Sequence, residues 1–110
     1  MPLSINSACR LEKFGLLRYR EGQHYDWHID ADHDPYKESH MRTFSVVTYL
    51  NDDFLGGMTE FADKARKPAV GSSLFFPSNW VFHHRAQPVI QGVKYVIVNW
   101  YRMYSLSNPK

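Results

Sequence analysis

An all-β fold, a sandwich or barrel of short strands, is predicted for this 110-residue chain. Three observations predict it. β-branched and aromatic residues gather in short runs. Turn residues separate those runs at intervals of roughly ten residues, the spacing of all-β domains. The only helical signal lies near the start, where Ser7 is placed to cap a short helix carrying Leu11 and Phe14.

Strands are then expected in order at 14–19 (FGLLRY), 25–30 (YDWHID), 43–50 (TFSVVTYL), 58–61 (MTEF), 73–77 (SLFFP), 81–86 (VFHHRA) and 94–103 (KYVIVNWYRM). Turn pairs lie between them: Glu21-Gly22, Asn51-Asp52, Gly56-Gly57, Val70-Gly71 and Gln91-Gly92. The length suits one domain over residues 1–110. Aromatics at 15% beside 22% charged residues describe a chain that folds. The net charge of +2 includes no basic block, so no nucleic-acid partner is expected. No stretch approaches the length of a membrane span. The lone Cys9 and the absence of an apolar leader make a reducing cytoplasm the expected location.

Chemistry is concentrated at residues 24–34, HYDWHIDADHD, with three histidines and four aspartates in eleven positions. On a strand, His28 and Asp30 point to one face and form a chelating pair, with Trp27 and Ile29 turned to the other face and into a core. An imidazole and a carboxylate suit a first-row metal, but a His-x-Asp triplet alone is more often an ordinary solvated pair, and a third ligand is required. His24, His33, His40, His83 and His84 are the candidates. Of the adjacent pair on the later strand, alternation turns only one inward. Two histidines and one carboxylate form the facial triad of non-haem iron(II) oxygenases, which leaves three positions open. Lys94 opens the last strand on one face with Val96, Val98 and Trp100. Taken alone it reads as a lysine guarding a sheet edge; in an apolar pocket it would hold a carboxylate by a charge-assisted bond.

The ordered segments RYREGQHYDWHID, TYLN, GGMTEF, VGSSLFFP, HRAQPV and GVKYVIVNW resemble the prolyl 4-hydroxylase-like branch of the iron(II)/2-oxoglutarate dioxygenases, over residues 16–102. The resemblance implies a double-stranded β-helix, or jelly roll, with little flanking helix. It implies that His28, Asp30 and His84 hold the metal, the later Pro88, Val89 and Lys94 selecting His84 over His83. Lys94 matches the residue that binds the far carboxylate of 2-oxoglutarate, and Tyr19, Tyr49 and Thr59 match residues lining that pocket. Tyr25, Arg42 and Trp100 match positions bordering a substrate proline; their plainer reading is two core aromatics and a solvated arginine.

Residues 31–40 would be a mobile cover over the metal, with His33 and Asp34 not ligating it. The implied cofactors are Fe(II), 2-oxoglutarate and O2, with ascorbate supportive. The implied reaction is hydroxylation of a prolyl residue in a peptide or protein, with release of succinate and CO2. A free amino acid or other small substrate, or a non-catalytic metal-binding jelly roll, are the alternatives. Few residues precede the first motif, so an apolar patch is expected on the outer face of the larger sheet, in a monomer or weak dimer.

Overall fold

Antiparallel pairing between strands, several of them far apart in sequence, organises the described residues. The computed structural model describes residues 7–30 and 41–105. Its elements are β1 (Ser7–Leu11), β2 (Gly15–Tyr19), β3 (Tyr25–His28), β4 (Met41–Tyr49), β5 (Leu55–Gly56), β6 (Thr59–Phe61), β7 (Ala65–Arg66), β8 (Ser73–Pro77), a 3-10 turn (Trp80–Phe82), β9 (His84–Ala86), β10 (Val89–Gln91) and β11 (Lys94–Ser105).

The larger sheet is organised by β11, whose twelve residues carry two partners on one flank and one on the other. β2 pairs with its first half, Lys94 facing Tyr19, and β1 pairs with its second half, Leu11 facing Tyr101. β4 runs along the other flank, and β8 closes that side. A smaller sheet runs β3-β9-β6-β7, and β5 with β10 makes a third, two-stranded piece. All the pairings within these sheets are antiparallel. Tyr49, Phe54, Val89 and Val96 form the buried centre, with Leu17, Tyr19, Val47 and Val98 packed against it. This is the jelly-roll arrangement, nearly all β among the described residues.

Four local expectations are corrected. The helix placed at Ser7 is instead strand β1. Its helical signal is shorter than a stable nucleus needs, and the second half of β11 offers an edge that satisfies its backbone. The expected strand at 25–30 ends at His28, so Asp30 lies just beyond it. The expected strand at 81–86 begins as a 3-10 turn and becomes a strand only at His84. Trp27 and Ile29 do not enter a core: they are 38% and 42% exposed, and Ile29 lines the cavity described below. Trp27 stacks on His83 at 4.9 Å and lies under the Arg85 guanidinium. Strands β5, β7 and β10, of two or three residues each, were not expected either. The cover expected at residues 31–40, with His33, Asp34 and His40, lies outside the described residues.

On the larger sheet apolar side chains are exposed. Leu16 and Phe75 are 61% and 60% exposed, and Phe75 stacks on Phe44 at 5.1 Å.

Candidate metal centre

A cavity of about 370 Å³ lies between the two larger sheets, within the range of small-molecule sites. Its walls carry Tyr19, Tyr25, His28, Asp30, Arg42, Thr59, His84, Lys94 and Trp100. Tyr49, the remaining residue singled out from the sequence, is fully buried and bonds to Thr59 behind the wall.

At one part of this cavity three donor atoms converge. One ligand atom each from His28, Asp30 and His84 lies within 4.8 Å of the other two. His28 stands at the end of β3 and His84 at the start of β9, directly paired across the smaller sheet. Asp30 Oδ1 is 3.1 Å from His28 Nε2 and 3.6 Å from His84 Nε2. Ligands roughly 2.1 Å from one metal ion and at right angles to each other sit roughly 3 Å apart, so the arrangement fits a facial set of two nitrogens and one oxygen. His83, by contrast, is exposed and stacks on Trp27.

The protonation of the rings follows from their other nitrogens. Nδ1 of His28 lies 2.7 Å from the Asp26 carbonyl oxygen, and Nδ1 of His84 lies 2.8 Å from that of Phe82. A carbonyl only accepts, so each Nδ1 carries a proton and each Nε2 is turned towards the carboxylate. His84, kept neutral by burial, offers its Nε2 lone pair there, and His28 meets Asp30 through a proton that a metal ion would replace. The same backbone bonds fix ring orientation, as outer partners of metal-bound histidines do. Phe61 and Phe76 wall the His84 ring from behind, Phe76 edge-on at 4.9 Å.

The charges suit a metal. Burial opposes ionisation of Asp30, but hydrogen bonds from His28 and Ser45, the nearby His84 and the Trp100 indole hold its pKa at about 2. The Trp100 N–H is itself buried without an acceptor in hydrogen-bonding geometry, so its influence on the carboxylate is electrostatic. Burial lowers the pKa of His84 and keeps it neutral. Burial also works to lower His28, but bonds to Asp30 and the Asp26 carbonyl outweigh it and raise its pKa.

Elsewhere on the wall Lys94 is buried, and its Nζ donates to the Gly57 carbonyl at 2.8 Å. It lies 4.1 Å from the Tyr19 ring centre and 5.5 Å from that of Tyr49. Burial lowers its pKa to about 8. The Tyr49 hydroxyl reaches both the Gly57 carbonyl and Thr59 Oγ1, at 3.0 and 2.9 Å. Among the described residues no carboxylate is paired with Lys94, a buried cation whose charge an anionic ligand would match.

Arg42 and Trp100 form a further wall. The guanidinium lies 3.7 Å over the indole and donates to the Asp30 backbone carbonyl at 3.4 Å. Its Nε donates to Glu12 at 3.0 Å, and Glu12 also pairs with Arg102. Tyr25 lies against the His28 ring at 4.4 Å. Sequence reasoning missed Glu12, and also Ser45 and Ser78 behind Asp30. These are small or ordinary polar residues whose partners lie 15 to 33 positions away, and no local spacing marks them.

The family model for the 2OG-Fe(II) oxygenase superfamily matches residues 14–102. A PKHD-type hydroxylase of Sphingopyxis alaskensis is 33% identical over 92 residues, 77% of this chain and 41% of that protein. Prolyl 4-hydroxylase 13 of Arabidopsis thaliana is 31% identical, over 83% of this chain and 43% of its own length. The chain thus spans less than half of these relatives. Among solved structures, the viral collagen prolyl hydroxylase of Paramecium bursaria Chlorella virus-1, in its 2OG complex, aligns with a TM-score of 0.74 at 27% identity, covering 86% of this chain and 60% of that one. A Pseudomonas putida prolyl-4-hydroxylase aligns at 0.67 and 26% identity, over 84% of this chain and 54% of its own. With a jelly roll, a converging His-Asp-His set and a family match across most of its length, the chain belongs to the 2OG-Fe(II) oxygenase superfamily.

Proposed function

We propose that the chain carries the active site of an iron(II)- and 2-oxoglutarate-dependent dioxygenase that hydroxylates a prolyl residue of a peptide or protein. The observation that carries this reading is the convergence of His28, Asp30 and His84 in one cavity with the buried cation Lys94. The prolyl substrate is supported by the relatives' names, collagen prolyl hydroxylase and prolyl 4-hydroxylase.

In this reading His28, Asp30 and His84 would hold iron(II), which with 2-oxoglutarate and O2 converts a C–H bond to C–OH and releases succinate and CO2. One oxygen atom goes to the product and the other to succinate, so the reaction balances without a further reductant; ascorbate is a supporting agent that keeps the metal reduced. Lys94 binds the far carboxylate by a charge-assisted bond. Tyr49 and Thr59, hydrogen-bonded to each other, hold the wall beside it, and Tyr19 lies against the Lys94 ammonium. Tyr25, Arg42 and Trp100 border the substrate, and the pairing of Arg42 with Glu12 fixes that side before substrate arrives. The apolar wall formed by Leu17, Val47, Val96 and Val98 excludes water from the reacting centre.

The test is succinate formation from labelled 2-oxoglutarate with iron(II), ascorbate and proline-containing peptides. Peptide-dependent succinate with a 16 Da gain on proline is the expected result; the same turnover with free amino acids alone would reassign the substrate, and no succinate under any condition would leave a metal-binding module. His84→Ala should abolish turnover while His83→Ala keeps most of it, because only His84 faces Asp30.

A further inference from the structure

The Asp30 carboxylate has two oxygens, and the structure treats them differently. Oδ1 faces both imidazoles. Oδ2 lies 2.6 Å from Ser45 Oγ, and Ser45 Oγ lies 2.8 Å from Ser78 Oγ. The direction of the chain is forced. An ionised carboxylate only accepts, so Ser45 gives its proton to Asp30 and its lone pairs are left to receive the Ser78 hydroxyl proton. Both serines are buried, at 0% and 2% exposure, so bulk water does not compete for either bond.

Their places in the fold are set independently of Asp30. Ser45 lies mid-strand on β4, with Trp100 of β11 opposite it on one side and Phe76 of β8 on the other. Ser78 follows β8, and its backbone N–H donates to the Thr43 carbonyl at 2.9 Å. Two rigid strands thus aim a hydroxyl at one oxygen of a carboxylate that itself lies beyond the end of its own strand.

We infer that Ser45, oriented by Ser78, is a positioning residue that makes Asp30 a one-oxygen ligand. A carboxylate held by nothing on its far side can turn and offer both oxygens to a cation, as carboxylates do in many metal sites. A second oxygen would occupy one of the three places that a facial triad leaves open. With Oδ2 engaged by Ser45, Oδ1 alone is presented beside the two imidazoles. The inference rests on the metal-centre reading proposed above, and the experiment separates the two.

Cobalt(II) is the probe, added to the full chain and followed by its visible absorption. The wild type should bind it. Ser45→Ala should weaken cobalt affinity about 10- to 100-fold, the usual effect of removing an outer partner of a metal ligand, and should shift the visible absorption as a second Asp30 oxygen replaces another ligand. Ser45→Thr, which keeps the hydroxyl, should recover most of both. Ser78→Ala leaves Ser45 in place but unguided and should fall between; it decides the matter if thermal melting shows Ser45→Ala to be unfolded. Wild-type affinity and spectrum in the folded serine-to-alanine variants would overturn the role of Ser45. Failure of the wild type to bind cobalt would overturn the metal centre and the inference with it.

Discussion

At the scale of the residue, Lys94 decides how the proposed co-substrate is held. Burial strips the Lys94 ammonium of hydration, and its pKa falls to about 8. Below that pH the empty pocket is already charged and binds a carboxylate with no proton uptake. Above it the amine is neutral, and binding must recover a proton first. The affinity for 2-oxoglutarate, measured by titration calorimetry on metal-loaded protein, should therefore be nearly flat below about pH 7 and fall by up to about tenfold per unit above about pH 8. Lys94→Met should bind weakly at every pH, with no slope. A flat wild-type profile over the same range would remove Lys94 from this role. Residues of this kind were legible in the chain to the extent that their spacing is local. His28 and Asp30 stand two apart, and Lys94 heads a strand with Val96, Val98 and Trp100 facing the same cavity. The choice of His84 over its neighbour needed the resemblance, since alternation says that one of the two turns inward and not which. Ser45, Ser78 and Glu12 were illegible, because a hydrogen bond between strands leaves no mark on the sequence near either partner.

At the scale of the element, the connection from β5 to β6 carries the carbonyl that ties Lys94 and Tyr49 together. Gly57 has φ near 64°, a region that side chains rarely adopt. A Cβ there would lie 3.1 Å from Phe54 and Val89 and 3.2 Å from Lys94 Cδ. Strain and crowding act together, so Gly57→Ala should cost about 1 to 3 kcal/mol in urea unfolding and should weaken 2-oxoglutarate binding by displacing the Lys94 chain. A cost below about 0.5 kcal/mol, the level of an ordinary surface change, would show that the turn relaxes freely. Long strands were read correctly because their alternating residues share a face over many positions. The shorter elements were not: β1 forms because β11, nearly a hundred residues later, supplies its partner, and two-residue strands such as β5 and β7 carry no period at all.

At the scale of the whole molecule, the two faces of the larger sheet do different work. The inner face lines the cavity, and the outer face leaves Leu16 and Phe75 mostly in water. Exposed apolar area of this kind binds hydrophobic dyes and lowers solubility. The double variant Leu16→Thr, Phe75→Thr should reduce dye fluorescence and raise solubility while leaving metal affinity unchanged, since neither side chain reaches the site. A loss of metal binding in a folded double variant would show that the outer face supports the inner one. Which residues compose the outer face depends on the register between β2, β11, β4 and β8, and no local spacing in the sequence records it.

β11 sets more than the sheet. At about 3.4 Å per residue, Lys94 and Trp100 stand roughly 20 Å apart along one strand, so a single stretch of backbone acts as the ruler between the buried ammonium and the indole wall of the cavity. Sliding β11 by one position against its neighbours would turn Lys94, Val96, Val98 and Trp100 outward together. Correct zippering of this strand and assembly of the cavity wall are therefore one and the same event.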